Sequence, residues 1–385
     1  MSTFGIICEF NPLHNGHKRL IDTARDMGAE RIVCVMSGNA VQRGELAMLD
    51  KYDRAKAAVL CGADLVLELP FPWSAASAEH FAMAGVGILS QFCDNIIFGS
   101  ECGDVELIKH AGEAAAESDF REAYSNRLER GEGAASAYFA ELEKVSGKKL
   151  SSNDLLGVEY VRAAKILGTD LTFHTVRREG AGYNDCVIRQ GEYPSATAIR
   201  GAWGRGEEAF EMIPEPAAET FRKCIDDQAL TDPRRLEMAA LAYFRLLDPS
   251  SLDDDIADAE GGVIHRIIDA AKGAKDGVEF FEAVKTKRYT DAKLRRAMLF
   301  AMTGVTRSLL RTLPKYTVLL GADSEGRTIL AKADHCISVI TRAADLPRGE
   351  AQFIVGERLE SLFTLARQRG GALGDSYRKS PFIKA

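Results

Sequence analysis

Gly5-Ile6-Ile7-Cys8-Glu9-Phe10-Asn11-Pro12-Leu13-His14-Asn15-Gly16-His17, continuing to Met27, decides how the rest of the chain is read. Gly5–Glu9 is a short apolar run that predicts a buried strand. Asn11-Pro12 supplies a turn, and the spacing of Gly16–Met27 predicts a helix. The same order repeats downstream. Strands are predicted at Arg31–Met36, at Leu65–Glu68 (stopped by Pro70 and Pro72) and at Asn95–Phe98 (ended by Gly99). Helices are predicted at Asp50–Cys61, with Asp50 as N-cap, and at Ser74–Ser90. Alternating strands and helices imply a parallel sheet covered on both faces. Ligands of such sheets bind beyond the carboxyl ends of the strands. Four loops fall there: Glu9–His17, Ser37–Gly44, Glu68–Trp73 and Gly99–Gly103.

Residues 104–145 read as mostly helical, Asn153–Leu167 as an amphipathic helix and Thr172–Val176 as a further strand. Beyond Arg200 helical spacing dominates, over 207–247 and 253–306. A hairpin is expected at Thr317–Leu330, turning at Asp323-Ser324-Glu325-Gly326. A single core rarely grows past about 250–300 residues, and this chain has 385. The expectation is therefore an α/β protein of two domains. Residues 1–205 would form a Rossmann-like parallel-sheet domain and 206–385 a mainly α-helical one.

The composition, 46% hydrophobic and 27% charged, is that of a folded globular chain. No basic segment followed by an apolar stretch marks a signal peptide at Met1–Ile7, and no run approaches the roughly 20 apolar residues of a membrane span. The cytoplasm is the expected location. The eight cysteines form no C-x-x-C pair, which favours buried thiols over zinc or disulfides. A net charge of −7 argues against a protein that coats nucleic acid, while leaving room for a local basic patch.

His14-Asn15-Gly16-His17 follows the first strand and opens the first helix. A helix start offers unpaired N–H groups and a positive dipole end to a phosphate. Gly16 permits close approach, and two imidazoles three positions apart can donate to phosphate oxygens. Zinc is the second reading of these histidines, and it lacks an obvious third ligand in the sequence. Ser195-Ala196-Thr197-Ala198-Ile199-Arg200 reads as a capped short helix. Ser195, Thr197 and Arg200 could hold the β- and γ-phosphates from the opposite side. Gly99 would let a base or ribose pack closely. Asn153 is either a plain cap or a ligand contact. The double arginine before a glycine turn in Arg177-Arg178-Glu179-Gly180-Ala181-Gly182-Tyr183 suits a phosphate, although a solvated surface pair is also common. Lys285, Lys287 and Arg288 beside Tyr289, followed by Lys293, Arg295 and Arg296, are a local excess of positive charge. They read as an RNA-phosphate contact or as a solvated helix face.

These residues resemble a known family, the bacterial tRNA(Met) cytidine acetate ligases, within the H-x-G-H nucleotidyltransferase superfamily. The resemblance is carried by Glu9–His17, Ser37–Glu45, Gly62–Pro70 and Phe98-Gly99-Ser100-Glu101, then by Gly180–Tyr183 and Lys285–Thr290. It implies a nucleotidyltransferase domain that uses ATP and acetate to make acetyl-adenylate, with elongator tRNA(Met) receiving the acetyl group on N4 of its wobble cytidine. His14 and His17, able to hydrogen-bond the phosphates in the transition state, are the expected catalytic pair. The family's ATP positions fall on Ile7, Cys8, Glu9, Phe10, Asn11, Pro12, Leu13, His14, Asn15, Gly16, His17, Lys18, Arg19 and Leu20, and on Gly99, Asn153 and Arg178. Asp154 stands where many relatives carry a second Asn. Mg²⁺ can accompany the ATP, although no carboxylate cluster calls for it. Two rival readings remain: an enzyme of the same fold that adenylylates a small phosphate monoester, and a non-catalytic protein that binds ATP and RNA.

Overall fold

The computed structural model describes residues 2–178, 195–332 and 336–385. Glu179 and the Gly180–Tyr183 motif lie outside the described residues. Strand β1 (Thr3–Cys8) leads through α1 (Asn15–Asp26) to β2 (Arg31–Ser37). A small hairpin, β3 (Ala40–Val41) and β4 (Glu45–Leu46), precedes α2 (Lys51–Leu60) and β5 (Leu65–Leu69). Then come α3 (Ala78–Leu89), β6 (Asn95–Ser100), α4 (Val105–Ala116), α5 (Ser118–Glu129), α6 (Ala134–Ser146), α7 (Ser152–Leu167), β7 (Thr172–Arg177) and α8 (Ala196–Gly204).

The remainder contains α9 (Glu215–Asp226), α10 (Pro233–Leu246), α11 (Val263–Gly273), α12 (Gly277–Val284), α13 (Asp291–Thr303) and α14 (Arg307–Leu310). It ends with β8 (Tyr316–Ala322), α15 (Ser324–Lys332), β9 (Ser338–Ile340), α16 (Ala351–Ala366) and β10 (Phe382–Ile383).

The main sheet runs β10-β8-β5-β2-β1-β6-β7, with β9 also on β8. Strands β5, β2, β1, β6 and β7 are mutually parallel, as the alternating pattern predicts. Successive residues of the central strands feed opposite cores. Ile7, Val33 and Val35 pack with α3 and α7, whereas Ile6, Cys8, Cys34 and Met36 pack with α1, α2 and α8. This is why these strands read as continuous apolar runs. The chain leaves β1 towards β2 on one side, and β6 flanks it on the other. The crevice above β1 and β6 is therefore the topological switch point where ligands bind.

Thr317–Leu330 is not a hairpin. β8 joins the sheet antiparallel to β5, and the chain then enters α15. Asp323 acts as a helix cap, accepting from the Gly326 N–H at 2.9 Å, so its turn-forming chemistry starts a helix. Gly326 is required by packing, since a Cβ there would lie 2.0 Å from the Asp64 carbonyl oxygen. The sheet thus draws strands from both sides of residues 205/206, and the core beneath it runs on into α10–α13. The seven described cysteines are unpaired thiols, all buried except Cys102 and Cys336; Cys186 lies outside the described residues.

Candidate active site

His14 is the N-cap of α1. Its backbone is extended, and its Nδ1 accepts from the Gly16 N–H at 3.1 Å. The His17 Nδ1 in turn accepts from the His14 N–H at 3.3 Å. The two rings lie with centroids 3.8 Å apart. Gly16 has no room for a side chain, because a Cβ would sit 2.9 Å from the His14 ring. With both Nδ1 atoms accepting, a neutral ring carries its proton on Nε2. Burial, then the nearby Arg178 and Arg200 guanidinium groups, holds the His14 pKa down to about 3. Burial, then His14 and Arg178, holds His17 well below the usual imidazole range. Both histidines are neutral N–H donors at pH 7.

The loop before them is fixed from three directions. The Asn11 Oδ1 accepts from Met48 N–H at 2.8 Å, and its carbonyl accepts from Arg200 at 2.8 Å. Arg54, wholly buried, donates to the carbonyls of Glu9 at 2.5 Å, Ser37 at 3.0 Å, Gly38 at 2.5 Å and Leu49 at 2.9 Å. It clamps the carboxyl ends of β1 and β2 with hydrogen bonds that no neutral side chain could all supply. The Glu9 carboxylate accepts from the Gln42 N–H at 3.0 Å, and burial raises its pKa.

A cavity of about 240 Å³ opens over these groups. From the leading loop, Ile7, Cys8, Glu9, Phe10, Asn11, His14, Gly16, His17, Arg19 and Leu20 line it. Gly99, Asn153, Arg178, Ser195, Thr197 and Arg200 reach it from four later segments. Pro12, Leu13, Asn15 and Lys18 share the loop but do not line the cavity. Leu13 is fully buried, Asn15 donates to the Glu211 carbonyl, and Lys18 is paired with Asp22. Ser195 caps α8 by accepting from Ala198 N–H at 3.1 Å, and Arg200 also donates to Thr197 Oγ1 at 3.2 Å. One wall is apolar: Phe81, Phe98, Leu156 and Tyr160. Sequence reasoning assigned none of these four to the site, because each reads as ordinary core. Gln42, Arg43 and Arg177 also line the cavity. The first two lie in a loop expected at this edge, and Arg177 is half of the double arginine.

Asp154, at the departure from the family pattern, supports the site from behind. It accepts from Ser100 Oγ at 2.6 Å, Cys102 N–H at 3.2 Å and Ser151 N–H at 3.1 Å. These bonds lock the loop after β6 to the first turn of α7. Among the described residues, no group of three or more His, Cys, Asp or Glu side chains is placed to hold a metal ion. No described helix is long and apolar enough to cross a membrane.

The basic cluster lies elsewhere, at the loop between α12 and α13 and along the first turns of α13. Most of its cations have carboxylate partners. Lys285 pairs with Glu282 at 2.5 Å, Lys293 with Glu260 at 3.7 Å, Arg295 with Glu45 at 2.9 Å and Arg296 with Asp258 at 2.6 Å. Lys287 and Arg288 are exposed and make no ion pair among the described residues, and Arg288 lies over the Tyr289 ring.

Comparison with known proteins gives this cavity a family. A profile described as HIGH Nucleotidyl Transferase matches residues 1–370. A tRNA(Met) cytidine acetate ligase from Syntrophotalea carbinolica is 35% identical over 353 residues, covering 86% of this chain and 82% of the relative. The chain belongs to that ligase family. A second such ligase, from Caldicellulosiruptor bescii, is 34% identical over 354 residues, 89% of this chain and 87% of its own. Among solved structures, Thermotoga maritima TmcAL in its apo form superposes with a TM-score of 0.89 at 28% identity, covering 100% of this chain and 99% of the other. The same protein bound with alpha-thio ATP gives a TM-score of 0.87 at 27% identity, with the same coverage. The α/β nucleotidyltransferase fold is thus shared along the whole chain.

Proposed function

We propose that the chain is an ATP-dependent ligase that acetylates N4 of the wobble cytidine of elongator tRNA(Met). A carboxylate oxygen of acetate attacks the α-phosphorus of ATP, and pyrophosphate leaves, giving acetyl-adenylate. The cytidine N4 amine then attacks the acetyl carbonyl, loses a proton, and AMP leaves. The observation that carries this reading is the pair of neutral imidazoles, His14 and His17, sharing one cavity with Arg178 and Arg200 at the switch point of the sheet.

In this reading the Nε2–H groups of His14 and His17 donate to phosphate oxygens at the reacting end. Arg200 and Arg178 neutralise the charge that gathers on the leaving pyrophosphate. Ser195 and Thr197 hold the phosphate tail beside the amino end of α8. Phe98, Leu156 and Tyr160 form a wall suited to a planar base. Holding both reactants in one cavity lowers the barrier by orientation. No cluster of carboxylates among the described residues would hold Mg²⁺; if present it would come with the ATP and offset charge on the phosphates. Lys287 and Arg288, supported by Lys285, Lys293, Arg295 and Arg296, contact the tRNA backbone. A protein acting on tRNA in this way works in the cytoplasm.

The test is incubation of the full chain with ATP, isotopically labelled acetate and tRNA(Met), followed by mass analysis of the nucleosides. Label on a single cytidine is the expected result. ATP–pyrophosphate exchange that is independent of acetate would favour the adenylylating rival, and ATP binding without any turnover would favour the non-catalytic one.

A further inference from the structure

The corner between β6 and α7 contains a carboxylate that the proposed chemistry leaves without a task. Glu101 follows β6, and its Oε1 accepts from the Asn153 Nδ2 at 2.5 Å. The same oxygen lies 3.8 Å from the Arg178 Nε. Its Oε2 is buried and has no hydrogen-bond partner among the described residues. Asn153 and Arg178 both line the cavity; Glu101 stands behind them.

An ionised carboxylate only accepts hydrogen bonds, so the side-chain amide facing it must present its NH₂. Turning the Asn153 amide over would set two oxygens against each other and leave the Glu101 carboxylate with less donation, a costly arrangement at a partly buried site. The Asn153 Oδ1 has no partner among the described residues, and it is the polar atom of this side chain left for the cavity. The corner is rigid, because Asp154 binds Ser100 and Cys102 on either side of Glu101 to the first turn of α7.

We infer that Glu101 is a positioning residue that orients the Asn153 amide so that its carbonyl oxygen faces the bound nucleoside, which must therefore offer a hydrogen-bond donor. This inference rests on the ATP reading above and adds a selectivity to it. Two groups of ATP have that chemistry near a base-and-ribose site: the 6-amino group of adenine and a ribose hydroxyl. Inosine triphosphate, with oxygen in place of the amino group, and 2′- and 3′-deoxy-ATP separate them.

The experiment is calorimetric titration of the full chain and its Glu101→Gln and Glu101→Ala variants with ATP and these three analogues. Thermal unfolding of each variant serves as the control for folding, and Glu101→Gln is the variant that keeps the side chain's shape. A glutamine can offer either end of its own amide, so Asn153 is released to turn. The ratio of ATP affinity to analogue affinity then falls by about tenfold, the size of one lost hydrogen bond to an oriented acceptor. A fall confined to inosine triphosphate assigns the donor to adenine, and a fall confined to the deoxy analogues assigns it to the ribose. Either supports the inference, because a role in packing alone would weaken all four ligands together. Unchanged ratios in folded Glu101→Gln and Glu101→Ala, or a uniform loss for all four ligands, overturn it while leaving the ATP reading intact. A wild-type chain that binds none of the four removes that reading and this inference together.

Discussion

His14 and His17 turn the same ring atom inward: each Nδ1 accepts a backbone N–H of the loop, at 3.1 Å and 3.3 Å, which leaves both Nε2–H groups for the cavity. One atom of each ring serves the fold and the other serves the chemistry, so the two roles can be separated. Asparagine at position 14 retains an acceptor for the helix start but has no group where Nε2 stood. His14→Asn is expected to unfold near the wild-type temperature while acetate-dependent ATP–pyrophosphate exchange falls about a hundredfold to a thousandfold, as for loss of one donor to developing charge. His14→Ala loses the cap as well and should cost about 1 kcal/mol of stability in addition. Equal exchange rates in wild type and His14→Asn would deny the ring a role in chemistry.

Stability should carry the signature of these buried rings. The folded pKa of His14, held near 3 by burial and by the two arginines, lies below its usual value of 6.5. Between those values the unfolded chain binds a proton that the folded chain does not. Stability from this site is therefore complete above about pH 6.5 and is lost as pH falls, by up to about 1.4 kcal/mol per pH unit. Raised carboxylates such as Glu9 and Glu68 act in the opposite sense, so the informative quantity is the difference between wild type and His14→Asn. Urea unfolding from pH 7 to pH 4.5 should show the two proteins close in stability at pH 7 and His14→Asn becoming the more stable as pH drops. A constant difference would mean that His14 titrates normally in the folded protein.

Arg54 is expected to be the most sensitive single position behind the site. Arg54→Met keeps the bulk of the stem but leaves four carbonyl oxygens, three buried and that of Glu9 part-buried, without their donor. The expected loss is at least about 3 kcal/mol, given about 1–3 kcal/mol for each unsatisfied buried group with partial relaxation. Lysine carries the charge but not the planar fork, so Arg54→Lys should recover only part of it. Chemical denaturation of the three proteins measures this directly. Near-wild-type stability of Arg54→Met would show that water or backbone movement replaces the guanidinium.

The sheet and its ligand edge were legible because their signals are local. Ile6 to Cys8 and Ile32 to Met36 are unbroken apolar runs, and the histidine loop sits between a strand and a helix start. Asp323-Ser324-Glu325-Gly326 was misread because Asp before Ser and Glu serves a turn and a helix cap equally well. What decided between them was the backbone of Asp64 pressing on Gly326, a contact between residues far apart in the chain. The pairing of Glu101 with Asn153, 52 positions apart, was invisible for the same reason. So was the apolar wall of Phe98 and Tyr160, whose residues look like any core.

The basic cluster is the sharpest case of distant partners, and it sets the last prediction. Read along the chain, Lys285 to Arg296 is an excess of positive charge. In the fold, Glu45, Asp258 and Glu260 come from other segments to meet Arg295, Arg296 and Lys293. A phosphate must compete with a carboxylate for those three cations, whereas Lys287 and Arg288 need surrender nothing. The Lys287→Ala, Arg288→Ala double variant should therefore weaken tRNA binding and lower the salt slope by roughly 0.7–0.9 for each phosphate contact removed. Arg295→Ala should change the slope less, because its charge is already balanced by Glu45 at 2.9 Å. Filter binding across a range of salt concentrations distinguishes the two. If Arg295→Ala flattened the slope more than the double variant, tRNA would be displacing Glu45, and the docking face would be the one Arg295 shares with the β3–β4 hairpin.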